Sequence, residues 1–171
     1  MSVDTDAELS AAVSRRLPFP EAAALFNPAL GALIITAAAA GHFEDSERGL
    51  PWLASFLVTP FVLHDPTRLS LPRDVRTSMA SWLAQNPLLG DQFGMHANLL
   101  APATRRAIRY ALRSRMVRLD STRLTSVGSV RGLSGTRGTA LRPYYAASRL
   151  TGRWIAKTDV LTAYSILGVR P

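Results

Sequence analysis

Two long runs of uncharged residues dominate the hydrophobic pattern of the chain. They are Leu25–Phe43 and Gly49–His64, and a short charged segment separates them. In the first run, Asn27 and Pro28 are the residue types preferred at a helix N-cap and at the first helical position. The residues that follow are apolar on every side of a helix, so the pattern predicts a central, buried helix that ends near Gly41.

The second run predicts a helix over Leu50–Leu63 that is kinked at Pro60. A strand is the competing interpretation for Phe56–Leu63, but the length of the run and the absence of alternation favour a helix. A turn bracketed by prolines follows over His64–Pro72. A bilayer-spanning helix needs about 20 apolar residues, so the second run is too short, and helix-breaking residues interrupt the start of the first. We therefore expect buried helices rather than a membrane hairpin.

Helical periodicity continues through the rest of the chain. It predicts a mainly α fold, a compact domain of about six to seven helices with a small β-hairpin at Met116–Val127. Residues 1–19 are predicted to be an N-terminal tail, and residues 20–171 a single helical domain. The later predicted helices are Arg73–Gln85, Leu88–Leu100, Ala103–Met116, Pro143–Lys157 and Asp159–Leu167.

Charge is distributed very unevenly along the sequence. Residues 1–100 hold six Arg against ten Asp and Glu, a net charge of −4. Residues 101–171 hold thirteen Arg and one Lys against two acidic residues, a net charge of +12. A GC-rich genome explains the preference for Arg over Lys but not the loss of acidic residues. We therefore expect the C-terminal half to meet an anionic partner, either nucleic acid or an acidic protein face.

A basic helix followed by a hairpin has the element order of a winged helix-turn-helix, here in residues 88–128. In that arrangement the helix over residues 103–116 is the recognition helix. The competing interpretation is a solvated basic face on a structural winged helix. The candidate residues for contact with nucleic acid or an acidic partner are Arg105, Arg106, Arg109 and Arg113 on the helix, with Arg123 and Arg131 in the wing.

Composition and motifs give no sign of catalysis. The chain has no cysteine, which removes disulfides, thiolate chemistry and cysteine-ligated zinc and fits a reducing cytoplasm. Its histidines, His42, His64 and His96, form neither a metal-ligand motif nor a close pair in the sequence. No nucleophile elbow or nucleotide-phosphate loop is present, and the glycine-rich segment Gly128–Thr139 is interpreted as a mobile loop. We expect no enzyme activity, no metal and no cofactor.

Four segments together resemble one bacterial protein family. They are NPALGALIITAAAAG, GLPWLASFLVTPFVLHDPTRLSLP, RTSMASWLAQNP, and the ending LTGRWIAK followed by TAYSILGVRP. The resemblance is to the middle component of three-component ABC systems, and it extends from Asn27 to Pro171. Its most specific parts are the proline-rich PFVLHDPTRLSLP block and the GRW and LGVRP motifs near the C-terminus.

The resemblance implies a cytoplasmic coupling protein in a conflict or phage-defence operon. Such proteins stand between an ABC ATPase of the SMC or RecN type and a separate effector, often a nuclease or another toxic enzyme. The chain is also similar to the small third subunit of Lamassu-type defence complexes. The family implies no catalytic residues, so none is carried over to this chain.

Two functional hypotheses follow. The first is a non-enzymatic adaptor that couples the ABC ATPase to its effector, has no membrane partner, and meets double-stranded DNA through the complex. The alternative is a winged-helix DNA-binding regulator that acts through the arginine-rich helix 103–116. The candidate residues for a partner interface are His64, Asp65, Arg68, Trp154 and Arg170.

Overall fold

The structure is a computed structural model that describes residues 27–127 and 140–170. The predicted tail of residues 1–19, the predicted loop Gly128–Thr139 and its Arg131 lie outside the described residues. The division into a tail and a single domain stays a prediction. Within the described residues there are seven α-helices and one three-stranded antiparallel sheet. The predicted mainly α class with a small β-hairpin is confirmed.

The first described helix, α1 (Pro28–Ser46), is the central element of the fold. The Asn27 side chain accepts hydrogen bonds from the backbone N–H groups of Ala29 and Leu30, at 3.1 and 3.3 Å, as expected of an N-cap. Eleven residues of this helix are buried, which confirms the prediction of a central helix. The helix continues to Ser46 and does not end near Gly41 as predicted.

Glycines explain why α1 continues, because they let it lie very close to α6 (Arg142–Ile155). A Cβ atom added at Gly41 would overlap the backbone of Arg149. A Cβ atom added at Gly152 would overlap the backbone carbonyl of Ala38. Gly41 is therefore a packing position between two helices and not a helix end.

The segment before the second helix is a strand, whereas the sequence predicts the start of a helix there. β1 (Leu50–Pro51) pairs antiparallel with β3 (Arg123–Ser126), which also pairs with β2 (Val117–Asp120). Leu50 lies opposite Leu124, and both side chains are 0% exposed. The predicted hairpin is confirmed. The sequence did not predict β1, the third strand of the sheet, because a strand of two residues leaves no periodic pattern.

A 3₁₀ turn (Trp52–Ala54) leads into α2 (Ser55–Leu63). This segment is helical rather than extended, as predicted, and Pro60 lies inside the helix. Eight of the nine residues in α2 are buried. The Thr59 hydroxyl lies 2.7 Å from the Thr104 hydroxyl, so these two polar groups satisfy each other in the core.

Two short helices follow α2. The first, α3 (Asp65–Leu69), lies in the segment where the sequence predicts a proline-bracketed turn. The second, α4 (Met79–Gln85), begins later than the predicted start at Arg73, because Ser78 is the residue that caps it. The Ser78 hydroxyl accepts a hydrogen bond from the backbone N–H of Ser81 at 3.1 Å.

Two tryptophans connect these short helices to the core. The indole N–H of Trp82 donates to the Ser70 carbonyl at 2.9 Å, and that of Trp154 donates to the Thr77 carbonyl at 2.6 Å. The Phe61 ring packs against both indoles, with ring centroids 5.4 Å apart in each pair. This aromatic cluster holds α2, α4 and α6 together.

The longest helix, α5 (Pro87–Arg113), is continuous. The sequence predicts two helices here, separated at Pro102, and that prediction is wrong. Pro102 removes one backbone hydrogen bond, but Leu100 and Ala103 on either side of it are buried, so packing against α1 and α2 keeps the two halves in line. A winged helix-turn-helix needs two separate helices. Its helical part is therefore absent from residues 88–113, although a hairpin follows.

The last described helix, α7 (Val160–Ile166), is tied to the segment before α2. The Tyr164 hydroxyl donates to the Leu53 carbonyl at 2.9 Å, and the Asp159 side chain caps the helix by accepting two backbone N–H groups. Over the described residues, no helix combines the length and the hydrophobicity that crossing a bilayer requires.

Candidate partner-binding surface

One side of α5 carries a stripe of exposed arginines. The opposite side buries Ala107 and Ala111 against α1. Within residues 27–127 and 140–170, no carboxylate forms an ion pair with Arg105, Arg109 or Arg113. We call this stripe the arginine face, and it consists of Arg105, Arg106, Arg109 and Arg113.

The hairpin after α5 adds further positive charge. Arg115 and Arg118 are exposed there. Arg123 is partly buried, and its Nη1 donates to the Gly49 carbonyl at 2.9 Å, so this arginine also braces the edge of the sheet. Arg131, the other predicted wing residue, lies outside the part of the chain that the structure describes.

A second group of basic residues consists of Arg149 and Arg153 on α6 and Lys157 just beyond it, and each of these three cations has a carboxylate partner. Arg149 pairs with Glu44 of α1. Arg153 and Lys157 both pair with Asp45, at 2.9 and 3.2 Å. The hydrogen bond from Arg153 lowers the pKa of the Asp45 carboxyl below its ordinary value. We call these five residues the paired seam.

The structure brings two predicted site residues, Arg105 and Arg170, to one hollow of about 280 Å³. The Arg105 guanidinium lies 5.8 Å from the centroid of the Phe56 ring, which is a cation–π arrangement. The Trp52 ring packs edge-on against Phe56, with centroids 5.9 Å apart. We call this cavity the C-terminal hollow; besides these four side chains it is lined by residues such as Asn98 and Tyr164.

The Tyr164 hydroxyl, which lines the C-terminal hollow, already has a hydrogen-bond partner. The Tyr164 hydroxyl donates to the Leu53 carbonyl at 2.9 Å. Burial raises the pKa of Tyr164 to about 12, so the phenol stays neutral at physiological pH. Among the described lining residues, the polar side chains left to meet a ligand are therefore those of Arg105, Arg170 and Asn98.

A larger hollow of about 520 Å³ lies on the other side of Trp52 and Leu53. It combines cations with acidic groups. Its Lys157 is paired with Asp45, and its Asp159 caps α7. This second hollow therefore has mixed charge, in contrast to the C-terminal hollow.

Two of the three histidines form a close pair, which the sequence did not indicate. The rings of His64 and His96 are stacked with centroids 3.9 Å apart, and Nδ1 of His64 lies 2.6 Å from the Thr67 hydroxyl. Burial lowers the pKa of both rings, and the neighbouring His96 lowers that of His64 further. No group of three potential metal ligands occurs within the described residues.

The remaining predicted interface residues are mostly buried or in contact with other residues of this chain. Arg68 lies 2.7 Å from Asp65 and donates to the Val62 carbonyl at 2.9 Å, and its guanidinium stacks 4.4 Å from the Tyr144 ring centroid. Trp154 is 2% exposed. His64 is likewise buried. Burial favours a packing role for these side chains, and their assignment to an interface stays a prediction.

Sequence reasoning missed Trp52 and Phe56 as surface aromatics. Both follow a helical spacing within a strongly apolar run, which indicated a buried helix. The available signal was Pro51, because a proline after a charged segment favours a break before the helix and leaves Trp52 in a turn at the surface. Trp52 is 39% exposed.

These features define a mainly helical domain whose surface carries an arginine-rich stripe beside an aromatic hollow. Residues 17–171 match the family described as ABC-three component (ABC-3C) system Middle Component 3, and the chain belongs to this family. The family resemblance noted in the sequence is thereby confirmed, whereas the Lamassu and SMC or RecN details stay predictions. Neither a search of curated proteins nor a search of solved structures gave a match.

Proposed function

We propose that the chain is a non-enzymatic adaptor that joins an SMC- or RecN-like ABC ATPase to an effector in a cytoplasmic anti-phage complex. A middle component of a three-component system has two other components to contact. The observation that carries the proposal is the arginine face, in which Arg105, Arg109 and Arg113 have no ion-pair partner within the described residues.

Exposed arginines of this kind suit association with another macromolecule. A guanidinium makes planar, bidentate contacts with a carboxylate or a phosphate. Like charges along one helix face also steer an oppositely charged partner toward that face and disfavour partners of the same sign. The opposite side of α5 is the side that packs in the core, so we expect Arg109 and Arg113 to add little to the free energy of unfolding.

An acidic protein surface and double-stranded DNA both satisfy this chemistry. The regulator hypothesis needs a recognition helix held at an angle to a supporting helix, and the continuous α5 does not provide that geometry. Contact with DNA through the assembled complex requires only phosphate contacts from exposed arginines. We therefore propose that DNA is a partner of the assembled complex, and that this chain alone does not recognise an operator sequence.

The adaptor proposal is tested by co-expressing all three components with an affinity tag on the ABC ATPase. We expect the effector to co-purify with the ATPase when the chain is present and to be lost when the chain is omitted. Nuclease treatment during purification separates bridging by protein from bridging by DNA. Equal recovery of the effector with and without the chain would show that it is not the adaptor.

A further inference from the structure

The C-terminal hollow has a composition that selects one kind of ligand. Its walls include the rings of Trp52 and Phe56, and two guanidinium groups, those of Arg105 and Arg170, line the same cavity. None of the described residues that line it is acidic. An apolar cavity with two arginines and no carboxylate is complementary to an apolar group attached to negative charge.

We propose that this hollow binds an acidic peptide segment of another component of the system. One large apolar side chain of the segment enters the hollow against Phe56 and Trp52, and flanking carboxylates meet Arg105 and Arg170. This proposal rests on the proposed adaptor function, since it specifies how one partner is held.

Size favours a single side chain as the occupant. The hollow measures about 280 Å³, which is at the lower end of the roughly 300–1,000 Å³ typical of pockets for small molecules. One aromatic or branched aliphatic side chain is a suitable occupant of such a volume. Aromatic anchors and arginines are also among the residues that contribute most binding energy at protein interfaces.

Polar groups argue against a nucleobase in the same place. Sequence-specific binding of an unstacked base uses donors and acceptors directed at its edges. Here the Tyr164 hydroxyl is already bonded to the Leu53 carbonyl, and among the described lining residues Asn98 alone has an amide side chain. The arginines are thus better matched to carboxylates beside an apolar anchor than to the edge of a base.

The Phe56 ring also holds the Arg105 guanidinium in a position to bind a carboxylate. Its guanidinium lies 5.8 Å from the Phe56 ring centroid, on the cavity side of α5. A guanidinium positioned over a ring loses less conformational freedom when it forms a bidentate contact than a freely rotating one does. In the larger neighbouring hollow, by contrast, Lys157 is already paired with Asp45.

The test changes the hollow in two independent ways in the full chain, co-expressed with the other two components. Arg105→Glu with Arg170→Glu reverses the charge, and Ala101→Leu fills the cavity but keeps both arginines. The matched control is Arg73→Glu with Arg142→Glu, since these two arginines are exposed and lie outside the hollow. Thermal unfolding of each isolated chain checks that it is folded.

We expect both hollow variants to weaken binding of one component about tenfold or more and the control to bind as wild type does. Tiled 15-residue peptides from that component should then identify one binding segment that contains acidic residues beside a large apolar residue. Wild-type chain that binds neither component would refute the adaptor proposal itself. Wild-type binding that survives in both folded hollow variants would overturn only the proposal for the hollow.

Two other outcomes would also overturn the peptide proposal. One is a binding peptide without acidic residues. The other is a loss, in the hollow variants, of binding to a 20-base-pair DNA duplex while binding to both protein components stays unchanged. That second outcome would assign the hollow to nucleic acid.

Discussion

The paired seam and the arginine face use the same residue type in opposite ways. In the seam, Arg149 and Arg153 on α6 pair with Glu44 and Asp45 on α1. On the arginine face of α5, no carboxylate of the described residues forms an ion pair with Arg105, Arg109 or Arg113. Both groups project from helices that pack on α1, so packing on α1 does not account for the difference. Each cation of the seam has a carboxylate partner on α1, whereas Arg105, Arg109 and Arg113 have none among the described residues.

The largest effect on stability is expected when the two helices that carry the seam, α1 and α6, are forced apart. Gly152→Ala places a Cβ where the Ala38 carbonyl lies, and we expect the free energy of unfolding to fall by about 3 kcal/mol. Urea denaturation measures this change. The control is Gly94→Ala, whose Cβ would lie 3.4 Å from the Gly168 carbonyl oxygen, an ordinary contact. Gly94→Ala should leave stability unchanged or raise it by up to about 1 kcal/mol. Similar midpoints for the two variants would contradict the close approach of α1 and α6.

A smaller effect is expected from removing the shared carboxylate of the seam. Asp45→Asn should lower stability by about 1 kcal/mol at pH 7, because Arg153 and Lys157 lose their partner. The folded-state pKa of Asp45 is lowered, so its contribution is present above the ordinary carboxyl pKa and is lost as the pH falls through the folded value. The difference from wild type should therefore disappear in acid. Glu47→Gln, at an exposed position without an ion pair among the described residues, is the control.

The histidine pair offers a pH dependence in a separate range. Burial lowers the folded-state pKa of His64 and His96, and Asp65 only partly opposes this at His64. The unfolded chain then binds more protons just below the ordinary histidine pKa of about 6.5, so stability should fall as the pH drops below that value. His96→Gln removes one partly buried titrating ring and the lowering effect of that ring on the pKa of His64. We expect urea midpoints measured at pH 7.5 and 5.5 to differ less in this variant than in wild type, and an unchanged difference would contradict the coupling of the two rings.

The smallest effect on stability is expected at the arginine face. Arg109→Gln with Arg113→Gln should change the free energy of unfolding by less than about 0.5 kcal/mol. Arg149→Gln with Arg153→Gln removes the same charge from the seam and should lower it by about 1 kcal/mol. Thermal and urea unfolding of the two double variants test this directly. A larger loss in the face variant would mean that these arginines brace the fold.

Local patterns predicted the parts of the fold that depend on neighbouring residues. The Asn27–Pro28 cap and the uniform apolarity of the first run identified α1 as the central helix. Helical spacing along α5 likewise separates the buried Ala107 and Ala111 from the exposed arginines. These features follow from the helical period and from the residue preferences at helix ends.

Tertiary packing decided the features that the sequence did not predict. Pro102 is a reasonable helix boundary by its own chemistry, but the buried residues beside it hold α5 in one piece. Leu50 becomes a strand residue only because Leu124, far away in the sequence, lies opposite it. The C-terminal hollow joins Trp52, Arg105 and Arg170 from three distant segments, so no local pattern could have grouped them.

The most direct test of the account compares the two arginine groups in one binding measurement. Isothermal titration gives the Kd of the system component that binds the chain, for wild type, Arg109→Gln with Arg113→Gln, and Arg149→Gln with Arg153→Gln, at low and moderate salt. We predict that the face variant binds about tenfold more weakly and shows a smaller salt dependence, while the seam variant binds as wild type does. Equal affinity of the wild type and the face variant, or a loss confined to the seam variant, would contradict the claim that the unpaired arginines are the partner-binding surface.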